Sequence, residues 1–66
     1  MIIADFTTPE LNYYRENCNF VGLEIRVFEL RSQGISLEEI AETLNMSVDG
    51  VKKISRKVNK KIIKVL

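Results

Sequence analysis

The C-terminal third of the chain carries the pattern that most limits the fold. Apolar side chains recur there at steps of three and four residues, at Val51, Ile54, Val58, Ile62 and Val65. This spacing is typical of one face of an α-helix, and it predicts a long helix that begins near Val48. A helix with one narrow apolar face must bury that face against other elements. The rest of the chain therefore has to supply the partners.

The preceding segment predicts a second, shorter helix that a tight turn joins to the long one. Ser36 and Glu39 have the spacing of a capping box, in which each side chain bonds to the backbone N–H of the other. About two apolar turns follow, formed by Leu37, Ile40, Ala41 and Leu44. Asn45 tolerates a positive φ, and Ser47 can cap the long helix. The small side chain of Ala41 would let the two helices cross closely.

Two further helices are predicted upstream. The first is capped by Thr8 and ends near Asn17, with Pro9 at the first helical position, where a missing N–H costs nothing. Its apolar side contains Leu11, Tyr14 and Cys18. The second helix covers residues 22–33 and ends at Gly34, because glycine best adopts the left-handed conformation past a helix end. Its apolar positions are Phe20, Leu23, Val27 and Leu30, with Phe28 widening the stripe.

The length sets an upper limit on this organisation. A chain of 66 residues forms one domain, and we predict an all-α fold, a compact helix-turn-helix bundle of three to four helices. Residues 1–19 would form an N-terminal arm and a short helix, and residues 20–66 the helix-turn-helix domain. The chain has no His, no Trp and a single Cys. This inventory disfavours an enzyme, and we predict neither a cofactor nor a metal.

The net charge of +1 hides an asymmetry. Residues 1–46 carry three Arg and eight Asp or Glu, a net charge of −5, whereas residues 47–66 carry seven Lys or Arg and one Asp, a net charge of +6. Such a division is a hint of a polyanionic partner. The alternative is a lysine-rich helix face that is simply solvated, and charge alone does not separate the two.

The packing of the long helix after the turn determines which side chains are left outside. With Val51 and Ile54 anchoring the long helix, the residues left outside are Val48, Asp49, Gly50, Lys52, Lys53, Arg56 and Lys57. An α-helix fits the major groove of DNA, and its early residues reach base edges. Lys60, Lys61 and Lys64 either continue this face past the groove or are solvated. Asp49 either accepts a hydrogen bond from a cytosine amino group or serves the helix dipole.

Residues 20–66 resemble the tetrahelical helix-turn-helix class. This class includes the domain of bacterial sigma factors that reads the −35 promoter element, and the LuxR-type regulators. The matching residues are Glu24, Val27-Phe28-Glu29-Leu30, Gly34-Ile35-Ser36, Glu39-Ile40-Ala41, Leu44-Asn45-Met46-Ser47, Val51-Lys52, Ile54 and Lys60-Lys61-Ile62. The order and spacing match without a gap. The chain departs from the class at Asn45, where glycine is usual, at Val21, where a Thr or Ser cap is usual, and at Gly50, where larger residues are common.

The resemblance implies roles for particular residues. Ser36 and Ser47, as helix caps, would lie beside phosphates. The base-reading face would contain Asp49, Gly50, Lys52 and Lys53, at the start of the helix that begins at Val48. Arg56 and Lys57 would contact the DNA backbone, and Lys60 belongs to the basic end of the class. The implied function is sequence-specific binding of double-stranded DNA in bacterial-type transcription regulation.

Other partners follow from the same features. The alternative function is a sigma-like module that binds RNA polymerase through its acidic half, with DNA contact secondary. The last turn is richly apolar, so it either packs on the N-terminal helix or meets a second copy, and a homodimer would form there or through the N-terminal arm. A single Cys and the lack of an apolar run of about 18 residues favour a cytoplasmic protein without membrane contact. Met1–Asp5 lacks the positive region that opens a signal peptide.

Overall fold

Four helices make up most of the chain that the computed structural model describes, which is residues 5–66. They are α1 (Thr8–Asn17), α2 (Leu23–Ser32), α3 (Leu37–Leu44) and α4 (Val48–Val65). Residues 5–66 contain no strand, so the predicted all-α bundle is confirmed. The radius of gyration is 11.0 Å, close to the roughly 11 Å of a compact chain of this length. Most of the predicted arm, residues 1–4, lies outside the described residues.

Helix α1 begins one residue earlier than the sequence predicts. The cap is Thr7 rather than Thr8, because Thr7 lies three residues before Glu10 and the two form a complete capping box. The Glu10 carboxylate accepts from the Thr7 N–H at 2.8 Å, and the Glu10 N–H donates to the Thr7 hydroxyl at 3.4 Å. The helix ends at Asn17, as predicted, and Cys18 follows in an extended conformation.

Helix α2 has a start without a side-chain cap. Gly22 is the N-cap residue, with φ of +55°, and it offers no side chain to the free N–H groups. The carboxylate of Glu24 instead reaches back and accepts from the Val21 N–H at 3.1 Å. The helix ends before Gly34, whose φ of +80° is the conformation expected past a helix end. The predicted range of 22–33 therefore differs by one residue at each end.

The turn between α3 and α4 is three residues long, Asn45 to Ser47. Asn45 takes the left-handed conformation, with φ of +56°, and ends α3. Each helix has a serine cap: Ser36 accepts from the Glu39 N–H at 3.2 Å, and Ser47 from the Gly50 N–H at 3.1 Å. The reciprocal bond from the Ser36 N–H to the Glu39 carboxylate is not among the hydrogen bonds of residues 5–66, so only half of that predicted box forms.

The core consists of two clusters that share Ile54 at their border. One joins α1, α2 and α4 through Tyr14, Cys18, Phe28, Val58 and Ile62. The other joins α2, α3 and α4 through Val27, Ile40, Ala41 and Val51. The predicted apolar face of α4 is thus confirmed, with Val51, Val58 and Ile62 fully buried. Leu23, which the α2 pattern places in the core, is instead exposed at the helix start.

Helix α1 is attached to the bundle by polar contacts as well. The Arg15 guanidinium binds the Glu29 carboxylate through two nitrogens and lies 5.7 Å from the centre of the Phe28 ring. The Tyr13 hydroxyl donates to the Val65 carbonyl at 3.3 Å. The C-terminal turn therefore packs on α1, yet Ile63 and Leu66 remain 59% and 74% exposed. None of the helices in residues 5–66 combines the length and the apolar character that crossing a bilayer requires.

Candidate nucleic-acid interface

Six basic side chains of α4 are exposed to solvent. They are Lys52, Lys53, Arg56, Lys57, Lys60 and Lys64, and we call them the basic surface. They avoid the side of α4 that holds Val51, Val58 and Ile62, because a helix turns by about 100° per residue. Lys53, Arg56 and Lys60 follow each other at three and four residues and form a line opposite the core. The core packing of α4 thus fixes the direction in which these charges point.

None of these six cations forms an ion pair within the described part of the chain. The two ion pairs there join Arg15 to Glu29 and Lys61 to Glu24. Arg56 has only a long hydrogen bond, from its Nε to the Lys52 carbonyl at 3.5 Å. Cations at this spacing repel one another on a helix. Their uncompensated charge is therefore unfavourable for the isolated chain and available to an anion.

Lys61 is the basic residue of α4 that does not belong to this surface. Its Nζ donates to the Glu24 carboxylate and to the Asn19 carbonyl, so its ammonium group lies at the start of α2. Glu24 is only 9% exposed. The hydrogen bond from Lys61 is the main reason why the pKa of Glu24 lies below its usual value, and the bond from the Val21 N–H adds to it. Glu24 is therefore an ion-pair partner rather than a free surface carboxylate.

The first turn of α4 differs from the predicted outward face. Val48 is half-buried and packs against the cluster around Ile40, so its side chain is only partly available. Asp49 is exposed, and within residues 5–66 its carboxylate accepts no backbone hydrogen bond, because the Ser47 hydroxyl already caps this turn. A side chain at Gly50 would meet the Ser47 hydroxyl at 3.2 Å and the Met46 methyl at 3.3 Å. Glycine thus leaves room for the cap.

The two capping serines differ in accessibility. Ser47 is exposed at the start of α4, and Ser36 is half-buried at the start of α3. Each hydroxyl oxygen accepts a backbone N–H of its own helix, which leaves its hydroxyl proton free to donate. A hydroxyl in this state can bind an anion without giving up the cap.

The basic surface is longer than one groove of DNA is wide. From Lys52 to Lys64 the helix rises about 18 Å at 1.5 Å per residue, whereas the major groove is about 12 Å wide. A helix that crosses the groove would therefore carry Lys60 and Lys64 past its edge, where phosphates are. The sequence pattern left both Lys60 and Lys64 open, the resemblance assigned Lys60 to the basic end of the class, and the structure exposes both side chains.

The sequence pattern did not point to Ser55. Together with Leu37, Lys52 and Arg56, it lines an open groove between the start of α3 and the middle of α4. The signal was present in the spacing, because residues 52, 55 and 56 share one side of a helix. What the spacing could not show is that the start of α3 forms the opposite wall.

The Cys18 thiol is buried between α1 and α4, where its sulfur lies 3.5 Å from the Lys61 carbonyl oxygen. Burial raises the pKa of this thiol, so it remains protonated. Among residues 5–66, no three Asp, Glu, Cys or His side chains group in a way that could hold a metal ion.

Comparison of the chain with protein-family models, with curated proteins and with solved structures found no match.

Proposed function

We propose that this chain binds double-stranded DNA, with α4 in the major groove, in bacterial-type transcription regulation in the cytoplasm. One observation carries the proposal: six exposed and unpaired cations lie on a single helix that follows a three-residue turn. An α-helix has the dimensions of the major groove, and the first helix of such a pair positions the second. The resemblance of residues 20–66 to sigma-factor and LuxR-type domains supports the same function.

The charge of the basic surface supports a polyanion rather than a single acidic residue as its ligand. Cations spread over about 18 Å match phosphates on both sides of a groove. Each phosphate that a Lys or Arg neutralises releases counterions, so the affinity should fall as salt rises. Ser36 and Ser47 would add hydroxyl contacts to phosphates, and Asp49, Gly50, Lys52 and Lys53 would face the bases.

Reversing the charge at the start of the basic surface tests the proposal. The double variant Lys52→Glu with Lys53→Glu should lower duplex affinity about a hundredfold or more, because two attractions become repulsions. A fluorescence titration with labelled duplex measures the effect, and circular dichroism verifies that the helices remain. Wild-type affinity in the double variant would refute DNA binding by α4.

A matched control separates local contact from net charge. Lys53→Glu and Arg26→Glu make the same change in charge on exposed residues, but Arg26 lies on α2, outside the basic surface. The proposal requires a much larger loss of affinity for Lys53→Glu. Equal losses would show that only the net charge matters.

The acidic exposed face of α3 favours a second candidate, a sigma-like module that holds RNA polymerase. Glu38, Glu39 and Glu42 are exposed, and neither ion pair of residues 5–66 includes them. A carboxylate surface of this kind is suited to a basic protein surface. Capture of core polymerase in the absence of DNA would favour this role, and Glu38→Lys with Glu42→Lys should then abolish the capture.

The exposed end of α4 is the place where a homodimer would form. Ile63 and Leu66 are the apolar side chains that the packing on α1 leaves uncovered. A dimer would double the number of phosphate contacts and the length of DNA that is read. Sedimentation equilibrium should then show a concentration-dependent mass that Leu66→Asp returns to the monomer. The role we propose is one of binding, without catalysis and without a cofactor.

A further inference from the structure

The groove between α3 and α4 gathers cationic and hydroxyl groups from two helices. Its lining residues are Leu37, Lys52, Ser55 and Arg56. Lys52 and Arg56 stand one helical turn apart, and the Arg56 Nε lies 3.5 Å from the Lys52 carbonyl. The guanidinium thus folds back along α4 toward Lys52. Two cations and a hydroxyl therefore border the same space.

The opposite wall is the start of α3, where Leu37 lines the groove and the first N–H groups of the helix lack partners within the helix. At the start of α3, the Glu39 N–H donates to the Ser36 hydroxyl at 3.2 Å and the Ile40 N–H to the Ser36 carbonyl at 2.9 Å. The N–H groups of Leu37 and Glu38 have no acceptor within residues 5–66. Glu38 and Glu39 bring two exposed carboxylates to this turn, so the positive charge of the groove comes from the α4 side.

These groups match one kind of ligand. A phosphate group presents several strong acceptors, and Arg, Lys, hydroxyl and backbone N–H are the donors that hold it. We propose that the groove holds a single phosphate group, which in the DNA complex is one backbone phosphate beside the major groove. This rests on the proposed function for the source of the phosphate, whereas the groove itself is a property of residues 37–56.

The proposal changes the role of two residues. Lys52, which the family resemblance assigns to base reading, becomes together with Arg56 an anchor on the DNA backbone. Phosphate contacts fix the orientation of a protein on the duplex and carry no sequence information. Base reading is then left to Asp49 and Lys53. Changes at Lys52, Ser55 or Arg56 should weaken binding equally for unrelated duplex sequences.

Inorganic phosphate tests the groove without DNA. In the ¹⁵N-labelled full chain, phosphate titrated against chloride of equal ionic strength should shift four backbone amides in a saturable way, those of Leu37, Lys52, Ser55 and Arg56. Ser55→Ala should weaken this binding about three- to tenfold, as the loss of one hydrogen bond predicts. Arg26→Gln removes a charge from α2, outside both the groove and the basic surface, and should leave the binding within about twofold. Shifts spread evenly along α4, without saturation, would overturn the proposal.

A short DNA duplex distinguishes the sources of the phosphate. The same four amides should move on duplex binding, and Ser55→Ala should reduce affinity by a similar factor for two unrelated sequences. Duplex binding that leaves these amides unmoved would overturn the groove and leave the proposed function standing. Saturable binding of inorganic phosphate by a chain that binds no duplex would support the groove and overturn the proposed function.

Discussion

Helices α3 and α4 begin alike and present opposite surfaces. Each has a serine cap that accepts the N–H three residues on, and each buries isoleucine at full depth, Ile40 in α3 and Ile62 in α4. The exposed side of α3 carries Glu38, Glu39 and Glu42, whereas that of α4 carries the six cations of the basic surface. The fold depends on the caps and buried isoleucines that the two helices share. The proposed function depends on the opposite charges of their exposed sides.

Lys61 differs from the other basic residues of α4, because it contributes to the fold and not to the exposed charge. By sequence it belongs with the cations of α4, but its ammonium group contacts Glu24 and the Asn19 carbonyl and supports the fold. The positive charge of α4 thus has two roles: that of Lys61 stabilises the fold, and that of the basic surface is exposed to solvent.

The buried faces of α3 and α4 should respond alike to truncation. Ile40→Ala and Ile62→Ala each remove a fully buried side chain, and each should lower the free energy of unfolding by about 2–5 kcal/mol through lost burial and the cavity left behind. Denaturant titration followed by circular dichroism measures both. A loss below about 1 kcal/mol for only one of them would show that the two helices do not share the core equally.

The ion pair of Lys61 should give stability that depends on pH. Glu24→Gln should lower the free energy of unfolding by about 1–3 kcal/mol at pH 7, because it removes a buried, charge-assisted hydrogen bond. The pKa of Glu24 in the folded chain lies below its ordinary 4.5, held down by Lys61, Val21 and the nearby Lys57. The unfolded chain therefore takes up protons first as the pH falls.

The sign of this pH dependence follows directly. The contribution of Glu24 is complete above its ordinary pKa of 4.5 and is lost as the pH falls through the lower pKa of the folded chain. Between pH 7 and pH 3, the stability of Glu24→Gln should decline less than that of the wild type. Glu29, whose pKa is also lowered, by Arg15, gives the same trend in both proteins. Parallel declines would refute a structural role for the Lys61 pair.

The smallest expected effect lies on the exposed side of α3. The last turn of α3 has no basic residue, and Glu38 and Glu42 repel each other at a spacing of four. Glu42→Lys should raise the free energy of unfolding by about 0.5 kcal/mol, through a favourable pair with Glu38 and the helix dipole. Thermal unfolding at low salt measures it. A large destabilisation would show that the acidic surface is not separable from the fold.

Local signals predicted most of the fold. The turn between α3 and α4 was predictable because Ser36, Asn45 and Ser47 act on their own neighbours, through caps and a left-handed conformation. The cap of α1 is Thr7 rather than the predicted Thr8, because Thr7 has the capping-box spacing to Glu10. The exposure of Leu23 depends on where the chain enters α2, which no periodicity reveals.

The candidate site was predictable only in part. Exposure of Lys52, Lys53 and Arg56 follows from the apolar spacing of α4. By contrast, the partial burial of Val48 and the contact of Lys61 with the loop before α2 depend on packing between distant segments. Ser55 was missed for the same reason, because the start of α3 forms the other wall of its groove.

The salt dependence of duplex binding shows whether the basic surface of α4 holds DNA through its phosphates. The wild-type affinity for a duplex should be measured across a series of salt concentrations. With five or six of the cations at phosphates, log K should fall against log salt with a slope of about −4.5 to −5.4. Arg56→Gln should make the slope shallower by about 1. A slope near zero, or one that Arg56→Gln leaves unchanged, would rule out phosphate contact by the basic surface.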